Sequence, residues 1–350
     1  MRIAIATTQT PFITGGAEYL TKNLLRACQQ EGHQVDIISK VFSDESANTI
    51  DQSMALWGQD DFSLWGSKPV DMVICLKFPA FYIQHDCKII WALHQHRSAY
   101  DLWDYAEEQG HQHSIEEQAL RQKIIAQDNK LFNSALQNFT ISKTVSKRLK
   151  HYNHIDSTPL YHPPALAEAL LTDNTEEASG DYIFAPSRFE PLKRQQLLLE
   201  ALSLTQQPVK AVLCGQGSHE HQLRHLVNQY NLHERVVIHQ QLSETAMVQH
   251  YKQSLAVFFA PYDEDYGYVT LEAMLAKKPV ITCYDSGGTT EFVVHEHTGF
   301  IEPPSAERLA ARLDQLYANK HLARSMGHDA FQHYQSFNMS WTNVLQHLLY

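Results

Sequence analysis

Short apolar runs alternate along this chain with stretches whose apolar residues recur at helical spacing, and the alternation restarts once near the middle. Arg2–Thr7, Val35–Ser39, Val70–Leu76, Lys88–Leu93 and Asn138–Ser142 have the length and content of strands. Between them, the stretch through Tyr19, Leu20, Leu24 and Cys28, then Ser114–Ile125 and Lys143–His151, read as helices. Strands alternating with helices favour a parallel sheet covered on both faces. After Tyr161-His162-Pro163-Pro164 the pattern pauses through the polar, acidic Thr172–Gly180, then begins again. Strands are expected at Tyr182–Ala185, Val209–Cys214, Val236–His239, Ala256–Ala260 and Pro279–Cys283. Helices are expected at Arg194–Leu204, His219–Tyr230, Ser243–Gln253, Tyr268–Ala276 and Ala306–Tyr317. The expected fold class is therefore α/β, with two doubly wound parallel-sheet domains facing a central cleft. Their expected bounds are 1–165 and 181–335, with a linker at 166–180 and a final amphipathic helix within 336–350.

Charge and cysteine usage narrow the function classes. The chain has 350 residues, with 28 Lys and Arg against 39 Asp and Glu, a net charge of −11 that argues against a nucleic-acid partner. Five scattered cysteines without a C-x-x-C pair argue against a disulfide framework and a zinc cage, and for a cytoplasmic setting. No apolar tract is long enough to span a membrane. One segment runs against the overall charge: residues 121–150 carry seven Lys and Arg against Asp128 alone. Such a patch suits peripheral contact with anionic lipid at the inner face of the membrane, or with a charged acceptor. A solvated helix face is the competing reading.

The stretch Ala260–Met274 carries the most chemistry. Glu264 and Glu272 stand eight residues apart, one before an expected helix and one two turns into it. Gly267 at the helix start lets a ligand approach the backbone, where the amides of Gly267, Tyr268 and Val269 point outward with the helix dipole behind them. This is a place for an anion flanked by two carboxylates that accept from sugar hydroxyls. Upstream, Arg188 leaves a strand end and Lys193 follows five residues later, two fixed cations suited to a diphosphate leaving group without a metal. Asp263-Glu264-Asp265 also spells D-x-D, but it opens a helix late in an α/β unit. The bland alternatives are acidic capping for the glutamates and surface charge for the cations.

In order along the chain, Gly15-Gly16-Ala17-Glu18, Arg188 and Lys193, Gly215-Gln216-Gly217, the Glu264/Glu272 pair, Gly287-Gly288 with Glu291, and Trp341 resemble the retaining family 4 glycosyltransferases, formerly group 1. The resemblance implies the GT-B fold: two Rossmann-like domains, the first for the acceptor and the second for the nucleotide sugar, with the C-terminal helix packing back on the first. It implies transfer of a sugar from a nucleotide diphosphate sugar, UDP- or GDP-linked, to an acceptor hydroxyl with retention, without a metal or other cofactor. Surface-glycan biosynthesis in bacteria, with a glycan or lipid-linked acceptor, is the setting implied. Arg188 and Lys193 would hold the diphosphate, helped by the Gly267–Val269 amides and the Gly15-Gly16 turn. Glu272 would meet the ribose, Glu264 the transferred sugar, Gln241 the base, and His94 the donor sugar and acceptor.

Departures from the family pattern are Ser187, Arg194 and Gln240 in place of usual glycines, and Tyr266 for a Phe. Lys277 replaces a glycine that ends the Glu264/Glu272 helix, so a different helix exit is expected. Two rival readings are a nucleotide-sugar epimerase of similar fold and a dinucleotide-dependent oxidoreductase. The second draws on Gly15-Gly16 after a strand and Asp36 twenty residues beyond Gly16. It lacks G-x-G-x-x-G and leaves Arg188, Lys193, Glu264 and Glu272 without roles.

Overall fold

A computed structural model of the chain describes residues 1–12, 15–65, 68–172 and 180–350. It divides into two compact units, residues 1–162 with 340–350, and residues 163–339. In the first unit, β1 (Arg2–Gln9) and β2 (Gln34–Val41) are followed by a short antiparallel pair, β3 (Leu64–Trp65) and β4 (Lys68–Pro69). Then come β5 (Met72–Cys75), β6 (Lys88–Ala92), β7 (Gln137–Thr140) and β8 (Thr158–Pro159). The main sheet has the order β2-β1-β5-β6-β7-β8 and is parallel throughout its pairings. The central strands β5 and β6 are buried along their whole length. That is the consequence of helices on both faces, and it explains why these strands read as continuous apolar runs.

The second unit repeats the plan with β9 (Tyr182–Pro186), β10 (Lys210–Cys214), β11 (Val236–His239), β12 (Ala256–Phe258), β13 (Val280–Cys283) and β14 (Gly299–Glu302). Its parallel sheet has the order β11-β10-β9-β12-β13-β14. Its core includes Ile183, Phe189, Leu198, Leu202, Leu213, Phe258, Ile281 and Leu313, all at most 2% exposed. Burying each such side chain contributes about 1.5–3 kcal/mol. The direction of strand addition reverses between β9 and β12 here, and between β1 and β5 in the first unit. Loops leaving the carboxyl ends of such strand pairs diverge and leave room for a ligand.

One local expectation is corrected. Part of the expected linker is helical: Ala167–Thr172 forms a helix packed on Tyr268–Leu275, because Leu170 finds an apolar surface and is 3% exposed. Residues 173–179, the rest of the acidic segment, lie outside the described residues, as does Thr14 beside the Gly15-Gly16 turn. The helix Trp341–Leu349 belongs to the first unit and packs on the helix Gly16–Gln30. Trp341 lies 6.4 Å from Trp91 and 5.9 Å from His162, ring centre to ring centre.

The basic segment 121–150 is largely neutralised within the first unit. Arg148 is buried with Asp101 at 3.9 Å, Arg121 reaches Asp104 at 3.6 Å, Lys150 meets Asp156 at 2.8 Å, and Lys123 pairs with Asp51. No described helix is long and apolar enough to cross a membrane.

Candidate functional site

The reversal point of the second unit brings together most of the residues singled out in the sequence. Arg188 follows β9 directly, and Pro191–Lys193 forms a single 3-10 turn before the helix Gln195–Leu204. Glu264 lies in the loop after β12, which ends at Gly267, the N-cap of the helix Tyr268–Leu275. The two loops are stitched together. Tyr262 N donates to Leu192 O at 2.7 Å, and the Lys193 ammonium pairs with the Glu264 carboxylate. Lys193 Nζ also stands 5.6 Å from the centre of the Phe259 ring. Arg188 is exposed, and its guanidinium has no ion-pair or hydrogen-bond partner among the described residues.

Arg194, in place of a usual glycine, fastens the loop. Its guanidinium makes a two-pronged contact with Asp285, 2.7 Å on each side, and donates to Ala260 O and Pro261 O at 2.8 and 2.9 Å. Its backbone sits at φ 53°, the left-handed region that favours glycine. The side-chain contacts offset that strain. Lys277 behaves alike. It takes φ 55°, with Lys277 N donating to Met274 O and Lys278 N to Ala273 O. The helix therefore exits through the left-handed cap a glycine would make, and the expected different exit is overturned. Ser187 is held by Gln195, whose Nε2 donates to Ser187 Oγ at 2.6 Å and to Arg188 O at 2.9 Å.

Gly267 has φ 88°, and a Cβ there would meet Thr289 Oγ1 at 2.7 Å. Gly287 has φ 57°, and a Cβ would strike the Glu264 backbone at 2.5 Å. The loop Ser286–Glu291 thus packs backbone to backbone under the Glu264 loop, reinforced by Gly288 N donating to Glu264 O at 2.7 Å. The helix start presents the first-turn amides of Gly267, Tyr268 and Val269, for which an α-helix supplies no acceptor of its own. The hydroxyls of Thr270 and Thr289 are buried beside it without a hydrogen-bond partner among the described residues.

Glu272 is 7% exposed. Its Oε2 accepts from Tyr251 Oη at 2.7 Å, and the carboxylate also accepts from the backbone of Leu166. Burial pushes this carboxyl up to about 7, and the two hydrogen bonds hold it down. Tyr251 carried no motif, and only the fold brings the helix Glu244–Gln253 against Glu272. Gln241 is exposed just after β11, next to Gln240, whose amide donates to both oxygens of Glu220.

The remaining candidates belong to the first unit. Gly15 caps the helix Gly16–Gln30, its N–H donating to Glu18 Oε2 at 2.8 Å. His94 lies just past the end of β6, half-buried, with Nδ1 2.5 Å from Gln95 O. Its neighbour His96 is buried, stacked on Phe78 at 4.8 Å, and burial holds its imidazole down at about 4. Asp36 sits in the first half of β2 instead of at its end, where a ribose-binding acid would stand.

Two six-stranded parallel α/β units in this arrangement define the GT-B fold. Sucrose-phosphate synthase of Thermosynechococcus elongatus has a similar structure, with TM-score 0.76 and 18% identity, covering 99% of this chain and 97% of that one. So has Anabaena HepE in complex with UDP-glucose, with TM-score 0.72 and 16% identity, covering 99% and 98%. The family model described as glycosyl transferases group 1 matches residues 170–333, which lie within the second unit. Human alpha-1,3/1,6-mannosyltransferase ALG2 is 26% identical over 200 residues, covering 51% of this chain. The match spans about half, 48%, of that relative's own length.

Proposed function

We propose that the chain is a retaining glycosyltransferase of family 4 that moves a hexose from a UDP- or GDP-linked donor to a hydroxyl of a glycan or lipid-linked acceptor, as in surface-glycan assembly. The observation that carries this reading is the pairing, at one reversal point, of an unpartnered Arg188 and an anchored Lys193 with a helix start capped by a left-handed glycine. Cleaving a nucleotide sugar builds negative charge on the diphosphate, and prearranged cations and amides lower that barrier most where charge develops. Arg188, Lys193 and the Gly267–Val269 amides would stabilise it. Glu272, held by Tyr251, would accept from the ribose, and Glu264, oriented by Lys193, would meet the transferred sugar. Gln241 would border the base. His94 and the Gly15-Gly16 turn would serve from the first unit. The acceptor hydroxyl attacks the anomeric carbon on the face the diphosphate leaves, and a diphosphate oxygen takes its proton, so no side-chain nucleophile is required. The relatives named above, a mannosyltransferase and a protein complexed with UDP-glucose, support donors of this kind.

The test is a panel of UDP- and GDP-sugars incubated with the chain, with and without acceptor glycans, and read by mass spectrometry and anomeric NMR couplings. A new glycoside with the donor's anomeric configuration is expected, in EDTA as in its absence. Inverted product, epimerised donor without transfer, or turnover lost in EDTA and restored by Mn²⁺ would each contradict the reading.

A further inference from the structure

Away from the reversal points, the first unit holds a cluster with no part in the proposed transfer. His111 and His113 lie in the loop between the helices Asp101–Glu108 and Ile115–Ser134, and Glu117 lies in the first turn of the second helix. One donor atom from each converges within 4.8 Å of the others, and no other trio of His, Cys, Asp or Glu among the described residues does so. The spacing His-x-His-x3-Glu is set by the backbone. Gly110 turns the chain at φ 85°, and Ser114 and Glu117 close a capping box. In that box Ser114 N donates to Glu117 Oε2 at 2.7 Å, and Glu117 Oε1 lies 4.0 Å from His111 Nε2. The His113 ring is clamped flat on Trp103, centroids 3.3 Å apart with 12° between planes, while Trp103 Nε1 donates to Glu107 at 2.9 Å.

His113 Nε2 is a second, independent sign. It is shut off from solvent and has no hydrogen-bond partner among the described residues. A desolvated imidazole nitrogen without a partner costs free energy, and coordination to a cation is one interaction that offsets that cost.

We propose that His111, His113 and Glu117 bind a divalent transition-metal ion of the zinc class. Two imidazoles and one carboxylate match that borderline ion, whereas Mg²⁺ and Ca²⁺ prefer more oxygens. Around a tetrahedral ion the donors would stand about 3.4 Å apart. Closing from 4.8 Å takes only rotation of His111 and Glu117, which are 53% and 46% exposed. Three protein ligands leave a coordination position for water or an anionic oxygen. His111, His113 and Glu117 line a hollow of about 560 Å³ together with Asp44, His96, Leu102 and Arg121. The site is separate from the diphosphate-binding residues, so its occupancy is independent of the EDTA result expected for transfer.

Isothermal titration of ZnCl₂ into the untagged, chelator-dialysed full chain tests this, with the visible absorption of bound Co²⁺ reporting tetrahedral coordination. One saturable equivalent per chain is expected. Its affinity should fall on the order of 100-fold in His113→Ala and at least about tenfold in Glu117→Gln, and stay unchanged in His233→Ala, an exposed histidine of the second unit. Glutamine preserves the capping box, so Glu117→Gln decides the matter even if His113→Ala loses helicity by circular dichroism. Absence of a saturable equivalent, or one retained at full affinity in Glu117→Gln, overturns the proposal.

Discussion

In the second unit, the loop after β9 is joined by charge to the loop after β12, Lys193 to Glu264, and to the loop after β13, Arg194 to Asp285. In the first unit, the end of β1 and the loop after β5 meet through a neutral bond, Thr8 Oγ1 to Phe78 O at 3.2 Å. A carboxylate that this unit buries completely lies elsewhere. Asp128 is 0% exposed, on the helix Ile115–Ser134, and accepts from Tyr82 and Tyr100 hydroxyls at 3.0 and 2.8 Å. Asn153 extends the network, donating to Tyr100 Oη at 3.2 Å and bonding Gln95, the neighbour of His94. One sheet plan thus supports two arrangements. The second unit places charge at its open edge, where a ligand can use it. The first holds a polar network inside, where it ties the loop after β6 to two helices.

The largest effect should come from the open edge. Arg188→Ala is expected to lower kcat/KM by on the order of 10²–10³-fold, as losses of transition-state charge contacts do, with stability moving by less than about 0.5 kcal/mol. Wild-type efficiency in steady-state assays would break the comparison, since the exposed cation would then be mere surface charge.

Next comes the clamp beneath it. Arg194→Ala leaves Asp285 unpaired in a site where both side chains are less than a quarter exposed. It should cost about 3 kcal/mol in urea unfolding. Arg194→Gly should cost about 1 kcal/mol less, because glycine is unstrained at φ 53°. Equal losses would mean that backbone strain plays no part.

The buried network of the first unit is probed by pH. Burial pushes the Asp128 carboxyl up to about 7, against the two tyrosine bonds that hold it down. A carboxyl that binds its proton more tightly folded than unfolded gives stability that is complete below about pH 4 and lost as the pH rises through about 7. Asp128→Asn should therefore gain on the parent across that window, seen as a stability difference that widens from about pH 4 to about pH 7. A difference independent of pH would show that the carboxylate stays ionised throughout. The smallest effect is expected at the helix exit: Lys277→Gly should raise stability by up to about 1 kcal/mol by relieving φ 55°.

Both sheets were legible in the sequence because parallel central strands are apolar on both faces. The edge strands β8 and β14 were not. β8 is two residues long and exposed on one side, and β14 carries Glu302, which is buried against Arg308 and Arg312 and reads as polar. The chemistry after β9 and β12 was equally visible, since Arg188, Lys193, Glu264, Gly267 and Glu272 are local signals. What joins them was not. The Arg194–Asp285 contact spans 91 positions, and Tyr251 reaches Glu272 from a helix with no motif. Substituted glycine positions misled in one direction only. Arg194 and Lys277 keep the left-handed backbone a glycine would take, at a cost their side chains or neighbours offset.

The central claim is that the reversal point of the second unit grips a diphosphate. Isothermal titration of UDP and GDP, alongside uridine and guanosine, into the parent chain and Arg188→Ala tests it most directly. One diphosphate is expected to bind the parent and to weaken roughly tenfold or more in the variant, with the nucleoside unchanged. Equal affinity of the diphosphate for both chains would contradict the account.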